Sequence, residues 1–143
     1  MAVPDAYPLG AITIAPVGAS PTYWPNFPFR DLSRLVDVIL PMEYFSARTS
    51  GAAGVRAYSA ANVRVIRTQV GPDFPIHPIG GVASRARPTE VHAFVQATMA
   101  CRTLGASLWE LGETTAAQWA QLAPLTTLPP PATANGATPA SAC

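Results

Sequence analysis

Residues 36–45 read Val-Asp-Val-Ile-Leu-Pro-Met-Glu-Tyr-Phe, and this stretch decides the fold. Over 36–42 the apolar side chains fall on both faces of an extended chain. A strand of that kind belongs in a parallel sheet covered by helices, where both faces are buried. Glu43 interrupts the run. A carboxylate at that point either does chemistry in a pocket or merely stands where a strand ends. Side chains alternate along a strand, so if Met42 and Tyr44 share one face, Glu43 points to the other, toward the helices, unless the strand has already ended there.

Working outward, strand signals alternate with helix signals. Residues 11–17 (AITIAPV) are short, apolar and β-branched, and predict a first buried strand. The proline- and aromatic-rich stretch 18–28 predicts a loop, and 29–35 a short helix. The second strand, 36–42, is followed by a small polar loop over 46–54. A helix is predicted over 55–70, with Val55, Tyr58, Ala61, Val65 and Ile66 as its apolar stripe and Arg56, Arg64 and Arg67 off it. Residues 76–82 (IHPIGGV) predict a third strand, weakened by Pro78, which cannot donate to a ladder. Thr89 is the expected N-cap of a helix over 90–104, and Gly105 its stop. A fourth strand follows at 106–111. Thr115 and Gln118 have the spacing of a capping box before a last short helix. From Pro124 the chain is rich in Pro, Ala and Thr, without a period, and predicts a disordered tail over 124–143.

Four successive βα units predict an α/β fold with a parallel sheet and crossovers of one hand. Two arrangements fit: a small open sheet, or half of a (β/α)8 TIM barrel, which needs roughly 200 residues or more when complete. In the second case residues 1–123 are half a barrel. The missing neighbour is then an N-terminal half-barrel, or self-association covers the open sheet edge.

Composition narrows the function classes. The 143 residues are 49% hydrophobic and only 12% charged, with mean hydropathy +0.21. A surface so poor in charge suits a chain that is covered by a partner or is part of a larger one. Net charge is +1, so no strong field attracts nucleic acid or anionic membrane. No apolar run reaches the roughly 18 residues of a membrane helix. All nine basic residues are Arg, which biased codon usage in a GC-rich genome explains. Cys101 and Cys143 form neither a disulfide framework nor a metal motif by their spacing. The opening MAVPDAYPLG has no charged or apolar region of a secretory signal.

In either arrangement the functional groups collect beyond the C-terminal ends of the strands. That rule gathers Ser20, Thr22, Tyr23 and Trp24 after the first strand, and Glu43, Tyr44, Phe45 and Arg48 after the second. His77, Gly80 and Gly81 come with the third, and Trp109, Glu110 and Glu113 with the fourth. Aromatic faces stack on sugar rings, carboxylates and arginines bind hydroxyls, and paired carboxylates carry out glycoside hydrolysis. Bland alternatives stand beside each. Glu43 is a solvated strand end or a partner of Arg48. Glu113 assists the start of the last helix. His77 is a hydrogen-bonded core histidine, with no second metal ligand in register. The glycine pair serves a tight turn or the close approach of a ligand, because the third glycine of a dinucleotide fingerprint is missing. No nucleophile elbow and no phosphate-cradling loop is present, so serine hydrolase and kinase-like chemistry are set aside. No cofactor and no metal is expected.

The segments VDVILPMEYF with a following Arg, AYSAANVRVIR, PIHPIGGVA and GASLWEL resemble the C-terminal half of a poorly characterised family of actinobacterial TIM-barrel proteins that look like glycoside hydrolases. The resemblance covers roughly residues 8–125, and its middle two segments are the most specific. The Met-x-Tyr strand is also similar to that of chitinase-like barrels, where Met and an aromatic point into the barrel beneath the sugar. The resemblance implies a (β/α)8 barrel acting on a glycan, possibly a cell-wall polysaccharide, and an extracellular location for a parent that carries a signal. It favours Tyr44, Arg48, His77 and Glu110 over Glu43. Leu111 departs from the pattern, which has Trp there, and the family's N-terminal half, with its main acid, has no counterpart in these residues. The expectation is therefore a partial glycoside-hydrolase-like barrel. Glu110 is its first candidate acid and Glu43 the second, with Tyr44, Arg48, Trp109, Trp24 and His77 shaping the carbohydrate site. The alternative is a non-catalytic carbohydrate-binding or structural barrel fragment without activity of its own.

Overall fold

The computed structural model describes residues 7–18, 24 and 26–128. Four strands, β1 (Gly10–Ile14), β2 (Val38–Met42), β3 (Ile79–Val82) and β4 (Ser107–Trp109), form one parallel sheet in the order β1-β2-β3-β4. Four helices alternate with them: α1 (Phe29–Leu32), α2 (Gly51–Val70), α3 (Pro88–Ala100) and α4 (Ala116–Leu122). Each crossover moves one place in the same direction. Crossovers of one hand then lay successive helices on one face of the sheet, and α1 packs on α2, α2 on α3, and α3 on α4.

β1 and β2 are held in full register from Gly10 opposite Val38 to Ile14 opposite Met42. Asp37 clamps the entry: its carboxylate accepts from Leu9 N at 2.8 Å and its own N–H donates to Leu9 O at 2.8 Å. The β2–β3 ladder is broken. Ile76 bridges Ile39, but β3 itself starts only at Ile79, because Pro78 between them has no N–H to give. Pro78 still accepts from Ser107 N at 3.1 Å and so helps align β4.

Burial alternates along β2, so the side chains keep strand parity. The burial of both faces expected from the sequence is not met, because only one face is covered by helices among the described residues. Ile39, Pro41 and Glu43 are buried against the helices, whereas Leu40, Met42 and Tyr44 are only partly covered. Between sheet and helices lie two apolar clusters, one around Phe45, Val55, Phe94 and Leu122, the other around Phe29, Ile39, Val63 and Ile76. Burying a side chain of this kind stabilises by about 1.5–3 kcal/mol. The opposite face has no covering element among the described residues, and Ile12 on it is 64% exposed.

Several boundaries differ from the sequence reading. The buried face of α2 is Val55, Ser59, Asn62, Val63 and Ile66, a proper i, i+4, i+7, i+8 stripe. Val65 lies outside it, 38% exposed, because Ser59 and Asn62 complete the buried face. α3 begins with Pro88 as its first residue, where a missing N–H costs nothing, so Thr89 is not its cap. It ends at Arg102 (φ 50), not Gly105. Thr103 N bonds Thr98 O at 3.1 Å and Arg102 N bonds Met99 O at 3.0 Å, the paired bonds of a Schellman ending. The carbonyls of Cys101 and Arg102 are further capped by Arg67 from α2. Cys101, in the core, is disulfide-bonded, a correction to the expectation of no disulfide; Cys143 lies outside the described residues. The capping box at Thr115 forms as expected, with Thr115 N donating to Gln118 Oε1 at 2.8 Å. Beyond α4 a 3-10 turn, Ala123–Thr127, keeps the chain against the core through Leu125. Ordered structure thus passes Pro124, and the rest of the expected tail, 129–143, lies outside the described residues.

Candidate functional site: the rim beyond β2 and β4

Tyr44 follows β2 with left-handed backbone (φ 39) and begins a 3-10 turn, Phe45–Ala47. That conformation turns Phe45 down into the core while Tyr44 stays on the uncovered side with Met42, whose Sδ accepts from the Tyr44 hydroxyl at 3.3 Å. Trp109 ends β4 on the same side and is 51% exposed. Its neighbour Leu108 packs into the helix-side cluster, so alternation puts Trp109 opposite. The Tyr44 and Trp109 rings meet edge to face, centroids 6.4 Å apart at 66°, a favoured aromatic geometry.

These two residues leave non-adjacent strands, with β3 between them. β3 contributes Gly80 and Gly81, whose bare backbones lie against core rings. A Cβ on Gly80 would stand 2.7 Å from Phe94, and one on Gly81 2.7 Å from Phe45. The glycine pair therefore serves the close approach of two core phenylalanines, themselves packed at 5.4 Å, rather than of a ligand. The Ser46 hydroxyl accepts from Val82 N at 3.0 Å and ties the turn to β3.

Glu110 follows Trp109, is exposed, and begins the 3-10 turn Leu111–Glu113, where its carbonyl accepts from the Thr114 hydroxyl at 2.7 Å. Arg48, also exposed, reaches across to Gly18 O at 3.3 Å and joins the loops after β1 and β2. Tyr44, Arg48, Trp109 and Glu110 thus all stand at the C-terminal end of the sheet, as the strand-end rule requires.

The other expected site residues stand elsewhere. His77 precedes β3; its N–H donates to Ile39 O at 2.9 Å, and its ring lies 3.1 Å from where a Cβ on Gly105 would be. It belongs to the opposite end of the sheet, where burial lowers its pKa. Trp24 packs on Phe27 at 5.8 Å and lines a cavity with Ile14, Phe29, Val65 and Gln69, on the side of α1 and α2. Ser20, Thr22 and Tyr23 lie outside the described residues.

Glu43 is fully buried on the helix side. Burial raises its pKa from 4.5 to about 8; the nearby Ser59 hydroxyl lowers it somewhat. The pair does not reach hydrogen-bond geometry, since both Glu43 carboxyl oxygens and Ser59 Oγ lack a partner. Tyr58 donates to the Glu43 backbone carbonyl at 2.9 Å, not to the carboxyl. Ser59 and Asn62, whose Oδ1 accepts from Val17 N at 2.8 Å, escaped the sequence reading because their polarity hid them from the helical stripe. Their spacing from Val55 and Ile66 was the available signal.

A second polar recess, ≈ 390 Å³, lies between the N-termini of α2 and α3 and is lined by Ser46, Thr49, Ser50, Arg85, Arg87 and Glu90. Glu90 fills its acceptor role: Oε1 takes Gly51 N at 2.8 Å and Oε2 takes Arg87 N at 2.9 Å. These backbone bonds hold its pKa below the usual value. Among the described residues no group of three His, Cys, Asp or Glu could hold a metal ion, and no helix is long and apolar enough to cross a membrane.

No family model matches this chain, and neither the curated proteins nor the solved structures contain a match.

Proposed function

We propose that the chain is half of a glycoside-hydrolase-like (β/α)8 barrel whose C-terminal rim binds a glycan, with a cell-wall polysaccharide as the substrate class. The observation that carries this reading is the Tyr44–Trp109 pair. Two aromatic rings share the uncovered side at the strand ends, and Glu110 is the next residue along the chain. Such rings offer an apolar platform to a sugar face, and an adjoining carboxylate hydrogen-bonds its hydroxyls. The half-barrel reading draws on the sequential parallel order of the four strands and on one apolar face left open, which a parallel sheet does not normally tolerate. The partner under this reading is the complementary half of the barrel.

Glu110 is assigned the acid/base role, with Arg48 and Tyr44 orienting substrate. Glycoside hydrolysis takes two carboxylates flanking the scissile bond. Glu43 is sealed behind the sheet, and Glu113 shares the Glu110 turn. The second acid is therefore assigned to the other half. The same placement of Glu43 favours a second reading, glycan binding without turnover. Binding of the purified chain to insoluble polysaccharides tests what both readings share. Trp109→Ala and Tyr44→Ala should each weaken it about tenfold or more, the equivalent of removing one buried ring. Unchanged binding in both variants refutes the rim. Turnover by the joined barrel, abolished in Glu110→Gln and kept in Glu43→Gln, separates hydrolase from binding module.

A further inference from the structure

Glu43 has no role in the proposed rim, yet among the described residues it is a fully buried carboxyl with neither oxygen partnered. Its side chain lies between β2 and α2. The facing Ser59 hydroxyl is equally unpartnered. A bare carboxylate in such a seam is strongly disfavoured, and a proton removes its charge. β1 and β3 carry no titratable residue. α2 presents Tyr58, whose hydroxyl is occupied by the Glu43 carbonyl and whose pKa burial raises. The turn after β2 presents Arg48, whose charge acts on Tyr58 and whose guanidinium is engaged with Gly18 O. On α3, beyond α2, Glu90 is held by two backbone amides and His92 by Gln96 and Gln121. No cation among them offsets the burial of Glu43.

The residue after Glu43 is Tyr44, in the left-handed region, and the residues after that form the turn that carries Arg48. We propose that Glu43 is a proton-operated latch: protonated, it sits in the β2–α2 seam, and on losing its proton to solvent it swings out, carrying the turn that holds Tyr44 and Arg48 away from Trp109. β2 stops at Met42, and the swing has to part the ties that hold the chain beyond it: Glu43 N and Tyr44 N to Ile79 O at 2.8 and 3.4 Å, the Tyr58 hydroxyl to Glu43 O at 2.9 Å, and Val82 N to the Ser46 hydroxyl at 3.0 Å. The latch depends on the fold alone and stands apart from what the rim binds.

Acrylamide quenching of Trp109, in protein carrying Trp24→Phe and Trp119→Phe, reads the rim directly between pH 6 and 9. Quenching should rise with a midpoint near the Glu43 value of about 8 and stay flat when Glu43→Gln is added. An equal rise in both proteins, or in neither, overturns the latch. Stability supplies a second reading. The folded-state pKa is raised above its unfolded value, so the stability tied to Glu43 is fully present below pH 4.5 and is lost as pH climbs to about 8. The unfolding constant of the wild type relative to Glu43→Gln should grow about tenfold per pH unit across that window. His77 titrates alike in both proteins and cancels. Should Glu43→Gln fail to fold, the Glu43 carboxyl carbon in an NMR titration of the wild type decides: a midpoint near 4.5 refutes the proposal.

Discussion

Gly80 and Gly81 occupy the space that lets two phenylalanines meet beneath β3. A methyl on either would sit 2.7 Å from a ring carbon of Phe94 or Phe45. Both rings are fully buried and touch each other, so neither can move alone. Gly80→Ala and Gly81→Ala should each cost about 1–3 kcal/mol, the usual range for overpacking. The double variant should depart from additivity, because the displaced rings share a contact. Urea unfolding of the three variants measures it, and costs under a few tenths of a kcal/mol contradict the packing account. At this scale the alternation of Met42, Glu43 and Tyr44 was legible in ten letters, since strand parity is local. The use of the glycines was not, because both rings come from elements distant in sequence from β3.

At the scale of the element, helix ends were read with mixed success for a definite reason. The Thr115 box is complete within four residues and formed as expected. The start of α3 is governed by Glu90, which caps its own helix through Arg87 N and also reaches Gly51 N at the start of α2. Glu90→Gln keeps one acceptor oxygen for two donors and should cost about 1–3 kcal/mol. Because these bonds depress the Glu90 pKa, its stabilisation is present above the unfolded value and vanishes as pH falls through the depressed one. Unfolding titrations should therefore show a wild-type advantage over Glu90→Gln that is full at pH 6 and gone at strongly acid pH. An advantage independent of pH contradicts the assignment. The end of α3 was misplaced to Gly105 since glycine is the common left-handed residue, whereas Arg102 takes that position here. At Gly105 the backbone instead passes close to the His77 ring, 3.1 Å from where a Cβ would stand.

For the whole molecule, the open face dominates. Ile12 and Trp109 on it are strongly exposed apolar side chains, and exposed apolar surface promotes association. The chain by itself should self-associate in sedimentation experiments, and Ile12→Lys should reduce that association while leaving the melting temperature unchanged. A monomer at all concentrations contradicts the reading of this face as a surface that needs cover. The sequence by itself determined the four βα units, their parallel pairing, and the side to which each residue of β2 points. These follow from hydrophobic period and strand parity, which act over a few residues. Only the tertiary structure decided that Tyr44 and Trp109 converge across β3, that His77 and Trp24 stand apart from them, and that Ser59 faces Glu43. Each is a contact between elements far apart in the chain, fixed by register and close packing, and no local pattern of letters encodes that distance. The carboxylate ending VDVILPME was conspicuous in the sequence. That it is sealed without a partner is a property of the fold.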